Sequence, residues 1–267
     1  MKISVITATW NSGRTIEDTL KSVLSQTYDD VEHIIKDGGS TDNTLEVCNA
    51  FRQENYASVQ EDAAVFRTMR ILSERDGGIY DAMNRGIEMS TGDVIGILNS
   101  DDFFTSSDVL QRVAEEFKKD PGLDAVYGDI HFVKEGNLKK CSRYYSSRYF
   151  RRWMLRFGFM PAHPSFYVRR EVYERFGLYD LSFRTSSDFE MMVRLFLSCG
   201  IKSRYINKDF VTMRAGGEST AGLESKRKVN RDISLSLKKH GVYSNQLFQS
   251  VRYLWRIGEM LYTKIRY

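Results

Sequence analysis

The first hundred residues alternate strand-like with helix-like segments, and the sharp polar motifs all follow strands. That alternation is the pattern of a parallel sheet joined by crossover helices, an α/β fold. Residues 2–9 read as a strand, after which Ile16, Leu20, Val23 and Leu24 recur at helical spacing to give one apolar face. Residues 31–35 form a second expected strand and run into the turn Asp37-Gly38-Gly39-Ser40. Thr41 or Asp42 can then cap a helix carrying Leu45, Val47 and Phe51. Residues 70–73, 79–89 and 94–98 read as strand, helix and strand. A helix from Asp108 to about residue 119 precedes a strand at 125–132, and Asp188 opens another helix-like run. In open α/β sheets the ligand crevice lies outside the carboxyl ends of the strands, so four strand-end motifs are expected to converge on one site.

Composition narrows the classes of function. Of 267 residues, 42% are hydrophobic and 28% charged, which fits a soluble globular chain and excludes a disordered or collagen-like one. Cys48, Cys141 and Cys199 are too few and too scattered for a disulfide scaffold or zinc site, so a reducing, cytoplasmic compartment is expected. The apolar opening at residues 3–6 is broken by Thr7, Thr9 and Asn11 and reads as a buried strand rather than a signal peptide. No apolar run approaches the roughly 20 residues that span a bilayer, so any membrane contact is expected to be peripheral.

The formal charge of +4 concentrates late. Lys139, Lys140, Arg143, Arg148, Arg151, Arg152 and Arg156 are interleaved with Tyr144, Tyr145, Tyr149, Phe150 and Trp153, and Lys226, Arg227, Lys228 and Arg231 form a second cluster. Such stretches suit phosphates of lipid head groups or of a lipid-linked substrate, or else a solvated basic face with its aromatics packed inward. From about Gly216 the chain reads as a polar loop and then helices, with Leu247, Val251, Leu254, Trp255 and Ile257 suggesting an apolar face.

Four motifs carry chemistry. Asn99-Ser100-Asp101-Asp102 follows the apolar run Ile95-Gly96-Ile97-Leu98 and puts adjacent carboxylates at a strand end. Magnesium or manganese takes one or two carboxylates there while substrate phosphates and water complete the shell. The competing reading is a cap for a helix beginning near Phe103. Asp37, at the end of the second strand, suits a nucleobase N–H or ribose hydroxyl, and Gly38 and Gly39 allow close backbone approach; a tight turn explains the same residues. In Glu74-Arg75-Asp76-Gly77-Gly78-Ile79-Tyr80-Asp81-Ala82-Met83-Asn84, Arg75 and Asp76 are candidates for donor contacts, and Asp81 and Asn84 share a helix face. A solvated first turn capped by Asp76 is the plain alternative. No Gly-x-Gly-x-x-Gly fingerprint and no phosphate loop occurs, which removes most support for a dehydrogenase or P-loop enzyme.

Taken with Val5-Ile6-Thr7-Ala8-Thr9-Trp10-Asn11, these motifs resemble family 2 glycosyltransferases of bacterial surface-polysaccharide synthesis, over roughly residues 1–215. The resemblance implies the GT-A fold, an inverting mechanism and a divalent metal, Mn2+ or Mg2+. It divides the chain into a nucleotide-sugar half (1–105), an acceptor half (106–215) and a C-terminal helical extension (216–267). It implies donor contacts at Thr7, Thr9, Asn11, Asp37, Asp76, Asn84, Asn99 and Ser100, with metal ligation at Asp101, Asp102 or both. Asn99 stands where the family's metal motif commonly begins with Asp, and Gly38 where a second Asp often follows the first. Ser186-Ser187-Asp188-Phe189-Glu190 matches the context of the family's base, making Asp188 the implied base; an N-cap is the competing role, and a carboxylate serves both only if one oxygen stays free. His163, in Pro161-Ala162-His163-Pro164-Ser165-Phe166, is an acceptor candidate or a structural residue between two prolines. Ala215-Gly216-Gly217-Glu218-Ser219-Thr220 reads as a loop that closes over the donor or as a linker.

The implied partners are a UDP-sugar or other nucleotide-sugar donor and a saccharide acceptor, lipid-linked in the leading reading, with no nucleic acid. The processive polymerases' Gln/Arg-x-x-Arg-Trp motif is missing, which favours transfer of a single sugar. A sugar nucleotidyltransferase would carry a glycine-rich basic loop after the first strand, and Trp10-Asn11-Ser12-Gly13-Arg14 offers one glycine. A non-catalytic binding protein of the same fold would have lost the carboxylates that Asp101, Asp102 and Asp188 retain.

Overall fold

The computed structural model describes residues 1–56, 67–216 and 222–266. Its strands are β1 (Ile3–Thr9), β2 (Val31–Asp37), β3 (Thr68–Ser73), β4 (Val94–Ile97), β5 (Phe103–Phe104), β6 (Ala125–Lys134), β7 (Asn137–Tyr145), β8 (Tyr167–Arg169) and β9 (Ser203–Arg214). They form one sheet in the order β3-β2-β1-β4-β8-β6-β9-β5, with β7 also paired to β6. β3, β2, β1 and β4 run parallel. β8 reverses direction between β4 and β6, and β9 returns parallel to β6.

The helices are α1 (Ile16–Leu24), α2 (Thr44–Tyr56), α3 (Ile79–Met89), α4 (Val109–Lys119), α5 (Arg170–Phe176), α6 (Ser187–Val193), α7 (Gly222–Lys239) and α8 (Gln246–Arg266). β1 and β2 are buried along their whole length because helices cover both faces of the sheet, so their polar residues, Ser4, Thr7, Glu32, His33 and Lys36 among them, are enclosed with the apolar ones. On one face Ile6, Ile34, Ile95 and Ile97 pack with Ala82, Met83 and Ile87 of α3. On the other, Ile3, Val5 and Val94 meet α4 through Val109, Val113 and Phe117, and Ile35 and Met69 meet α1 and α2 through Ile16, Leu20 and Phe51. Gly96 is a packing requirement: a Cβ there would lie 2.2 Å from the buried Tyr167 ring on β8. The mainly parallel α/β fold with C-terminal helices is the one expected. The helix expected near Phe103 is not formed, because Phe103 and Phe104 pair antiparallel with Thr212 and Val211 as edge strand β5.

His33 is fully buried in β2, with Nε2 on the Thr7 hydroxyl at 3.0 Å, and burial pushes its pKa down to about 3. The folded chain therefore holds it neutral while the unfolded chain protonates it below about pH 6.5. Stability from this group is complete above that pH and is lost as pH falls toward 3. Urea unfolding at pH 7 and pH 5 is expected to show a loss of about 2 kcal/mol that His33→Gln removes.

Candidate active site at the carboxyl rim of the sheet

Register brings three strand ends level, since Thr9 pairs with Asp37 and Asp37 with Ser73. The loop after β1 laces the rim together. Asn11, at φ 49°, accepts the Thr41 N–H on Oδ1 at 2.9 Å and donates its own N–H to the Ser40 hydroxyl at 2.8 Å; asparagine is among the few residues that take this left-handed geometry readily. The Gly13 N–H donates to Asp42 (3.0 Å), the Ser12 and Ser100 hydroxyls meet at 2.8 Å, and Thr19 donates to the Asp102 carbonyl at 2.6 Å. Trp10 stands exposed beside this loop, whereas the Thr9 hydroxyl is buried without a partner.

Asp37 is fully buried and spends both oxygens on its own turn. Oδ2 accepts the Gly39 and Ser40 N–H groups and the Ser73 hydroxyl, and Oδ1 accepts the Ser40 hydroxyl. Beside it lies a lysine that the sequence reading passed over. Lys36 is 0% exposed, and its Nζ donates to the carbonyls of Asp37 and Glu74 at 2.7 Å and to Asp76 Oδ2 at 3.1 Å. It fastens the loop after β3 to the end of β2. The available signal was charge, Glu32 and Lys36, within a strand-like segment expected to be buried, Val31-Glu32-His33-Ile34-Ile35-Lys36. A Cβ on Gly38 would come within 3.0 Å of Asp76 Oδ2. The Asp76 carboxylate thus fills the space a side chain at position 38 would take, and two carboxylates there would repel. The departure at Gly38 and the presence of Asp76 are one arrangement. Asp76 Oδ1 accepts the Gly78 N–H at 3.0 Å, while α3 itself begins after Gly78 without a side-chain cap.

After β4, Asn99 donates to Asp102 Oδ2 at 3.1 Å. Asn99 Oδ1 and Asp102 Oδ1 are buried acceptors without a donor among the described residues. Burial pushes the Asp101 and Asp102 carboxyls above the usual carboxylate range, and the Asp101 charge raises Asp102 further. The pair is short of positive charge, so its donor set fits a divalent cation. Asp101 is the half-buried member and Asp102 the enclosed one. Among the described residues no cluster of three or more His, Cys, Asp or Glu side chains is poised for a metal. The protein supplies one or two carboxylates, and diphosphate and water would supply the rest. Arg214, also unforeseen, donates to the Asp101 carbonyl at 2.5 Å, pairs with Asp18 and lies over the Phe103 ring. Its neighbours Ala215 and Gly216 are described, but Gly217, Glu218, Ser219 and Thr220 of the suggested loop lie outside the described residues.

Asp188 sits one residue inside α6, whose N-cap residue Ser186 makes no side-chain cap bond. Asp188 Oδ1 accepts the Phe189 N–H and the Tyr80 hydroxyl, both at 2.9 Å. Oδ2 makes no hydrogen bond among the described residues. Tyr80 comes from the first turn of α3, so the segment carrying Asp76 also reaches Asp188. The Tyr80 ring stacks on Tyr179 at 5.6 Å, and the Tyr179 hydroxyl meets His163 Nε2 at 2.5 Å. His163 is buried, and burial pushes its pKa down. Asn84 is also buried and uses both ends of its amide on the Tyr179 backbone, each at 2.9 Å. Thr7 lies inside β1 against His33 rather than at the rim.

The mainly parallel α/β sheet flanked by helices, with further helices at the C-terminal end, is the fold of the GT-A class of nucleotide-sugar-dependent glycosyltransferase. The profile of "Glycosyl transferase family 2" matches residues 4–177, and the chain belongs to that family. It is 30% identical over 204 residues to a "PGL/p-HBAD biosynthesis glycosyltransferase" of Mycobacterium tuberculosis, covering 76% of this chain and 73% of the relative. It is 31% identical over 136 residues to "Glycosyltransferase GlyG" of Streptococcus pneumoniae, covering 51% of this chain and 41% of that one. Among solved structures it resembles the mannosyltransferase PcManGT of Pyrobaculum calidifontis in complex with GDP-Man and Mn2+, with TM-score 0.64, 16% identity and coverage of 98% of this chain and 73% of that one. It also resembles S. aureus TarS 1-349 in complex with UDP, with TM-score 0.62, 17% identity and coverage of 89% of this chain. The present chain spans 65% of that TarS chain.

Proposed function

We propose that the chain is a cytoplasmic, inverting glycosyltransferase that moves one sugar from a UDP-sugar, or another nucleotide-sugar, to a hydroxyl of a lipid-linked saccharide in surface-polysaccharide synthesis. The observation that carries the reading is Asp188, which has one oxygen fixed by Tyr80 and the Phe189 amide and the other unengaged. That arrangement supports the base role, because an oxygen remains for a proton.

Asp76, Asn11 and Asn99 line the donor side, while Ser100, buried and bonded to the Ser12 hydroxyl, belongs with the framework. Asp37, Thr7, Thr9 and Asn84 act as framework, since burial or protein partners occupy them. His163 supports Tyr179, which stacks against Tyr80, and contributes to the acceptor side through that contact. In the reaction the acceptor oxygen attacks the anomeric carbon on the face opposite the nucleoside diphosphate. Asp188 takes the hydroxyl proton, and the bond from the anomeric carbon to the phosphate oxygen breaks with its electron pair leaving on the diphosphate. Asp101 and Asp102 would hold a divalent cation, which when bound would neutralise charge on that diphosphate. Arg214 adds a fixed positive charge at the same rim. GDP-Man with Mn2+ in one structural neighbour and UDP in another support a nucleotide-diphosphate donor and a metal.

Calorimetric titration with UDP, GDP and dTDP, each with manganese and with a chelator, tests the donor side. One nucleotide is expected to bind with the metal, and Asp101→Ala is expected to weaken it at least tenfold. Absence of nucleotide binding under every condition would favour the non-catalytic alternative.

A further inference from the structure

The last helix is mounted inside out. The sequence suggests an apolar face on α8, and the structure turns that face to solvent: Leu247, Val251, Leu254, Ile257 and Leu261 form an outward stripe, with Leu247 74% and Leu254 71% exposed, and Trp255 lies at its margin. Gln249, Glu259 and Thr263 face the protein, while Gln246, Ser250, Arg256 and Lys264 are exposed. Gln249 donates to the Ser234 hydroxyl at 3.0 Å, Glu259 pairs with Arg143 at 3.1 Å, and the Thr263 hydroxyl accepts the Tyr144 N–H at 3.0 Å. Ordinary surface helices do the reverse, so the stripe is built to be covered by something outside the described chain.

The surroundings indicate what covers it. Phe248 stacks at 4.9 Å on Phe157, whose ring meets the exposed Trp153 edge-on. This contact joins α8 to a groove of about 860 Å³ whose lining includes Arg151, Arg152 and Arg156 and no carboxylate. Glu259, the one acid of α8, is turned inward, while Lys264 is exposed. Apolar side chains flanked by tryptophan and tyrosine, with arginines and no acid, match the boundary of an anionic bilayer. A second copy meeting this face symmetrically would bring its own three arginines against the first set. No described helix is long and apolar enough to cross a membrane, so the helix lies along the surface. We infer that α8 and the arginine groove form a docking face for an anionic lipid bilayer. This inference does not depend on the assignment of Asp188 or of the donor side.

The experiment is co-sedimentation of the full chain with phosphatidylcholine vesicles and with vesicles carrying 30% phosphatidylglycerol, at low and high salt, alongside light scattering of the protein alone. The anionic vesicles are expected to pellet the protein at least tenfold more effectively, with the difference shrinking in high salt. Leu254→Glu/Leu261→Glu is expected to abolish pelleting. Arg151→Gln/Arg156→Gln is expected to weaken it about tenfold. Both variants should keep the circular dichroism spectrum and thermal midpoint of the unsubstituted chain, which shows that they fold. Protein that stays in the supernatant with every vesicle overturns the inference. So does a dimer that becomes monomeric in the double-glutamate variant, because the face would then belong to a second copy.

Discussion

Asp188→Asn is expected to lower kcat about a thousandfold while leaving nucleotide affinity within twofold. The substitution keeps the shape of the side chain and removes its ability to take a proton. A positioned general base contributes roughly 10²–10⁴-fold, and about a thousandfold corresponds to about 4 kcal/mol of barrier. Tyr80→Phe provides the graded comparison. Phenylalanine keeps the stacking surface on Tyr179 and removes one hydrogen bond to Asp188 Oδ1. The loss expected is about tenfold in kcat, the effect of one bond to a charged group, with the donor KM unchanged. Both constants are read from initial rates of nucleotide release with a saturating acceptor. If Asp188→Asn instead weakened nucleotide binding and left kcat intact, the carboxylate would belong to the donor side and another base would be needed.

The first strands were legible because short β-branched apolar segments such as Val5-Ile6, Ile34-Ile35 and Val94-Ile95 alternate with helical periodicity, and the strand-end motifs were legible because turns and carboxylates are local. What the sequence did not reveal were relations across the sheet. Asp37 reads as a ligand, and nothing in the sequence signals that its carboxylate also ties the turn to Ser73 on the neighbouring strand. Asn84 shares a face with Asp81 as helix geometry requires, but its partner is Tyr179, 95 positions away. Tyr80 lay inside a quoted motif and received no role, because Asp188 reaches it only through tertiary packing. The apolar stripe of α8 was visible as a periodicity. Its outward direction was not, since periodicity records that one face differs from another and says nothing of which faces the core.

Lys36→Met is expected to cost about 3–5 kcal/mol of stability and to weaken nucleotide binding, although Lys36 touches no ligand in the proposed reaction. Its ammonium is fully buried and satisfied by two carbonyls and the Asp76 carboxylate. Methionine fills most of the volume, so packing loss is small. The cost comes from leaving a mostly buried carboxylate and two carbonyls without their cation. For a chain of this size the thermal midpoint should fall by about 6–20 °C, at roughly 2–4 °C per kcal/mol. The loop after β3 would also lose its tie to β2, moving Asp76 away from Gly38 and weakening the donor side. Adding Asp76→Asn distinguishes this account from simple disruption of β2. If the uncompensated charge dominates, Lys36→Met/Asp76→Asn should be more stable than Lys36→Met alone, because the second change removes the stranded carboxylate. A double variant less stable than the single one would place the cost in the two carbonyls and in packing. The restored stability should not bring back nucleotide affinity, because the same change removes the carboxylate proposed to read the donor.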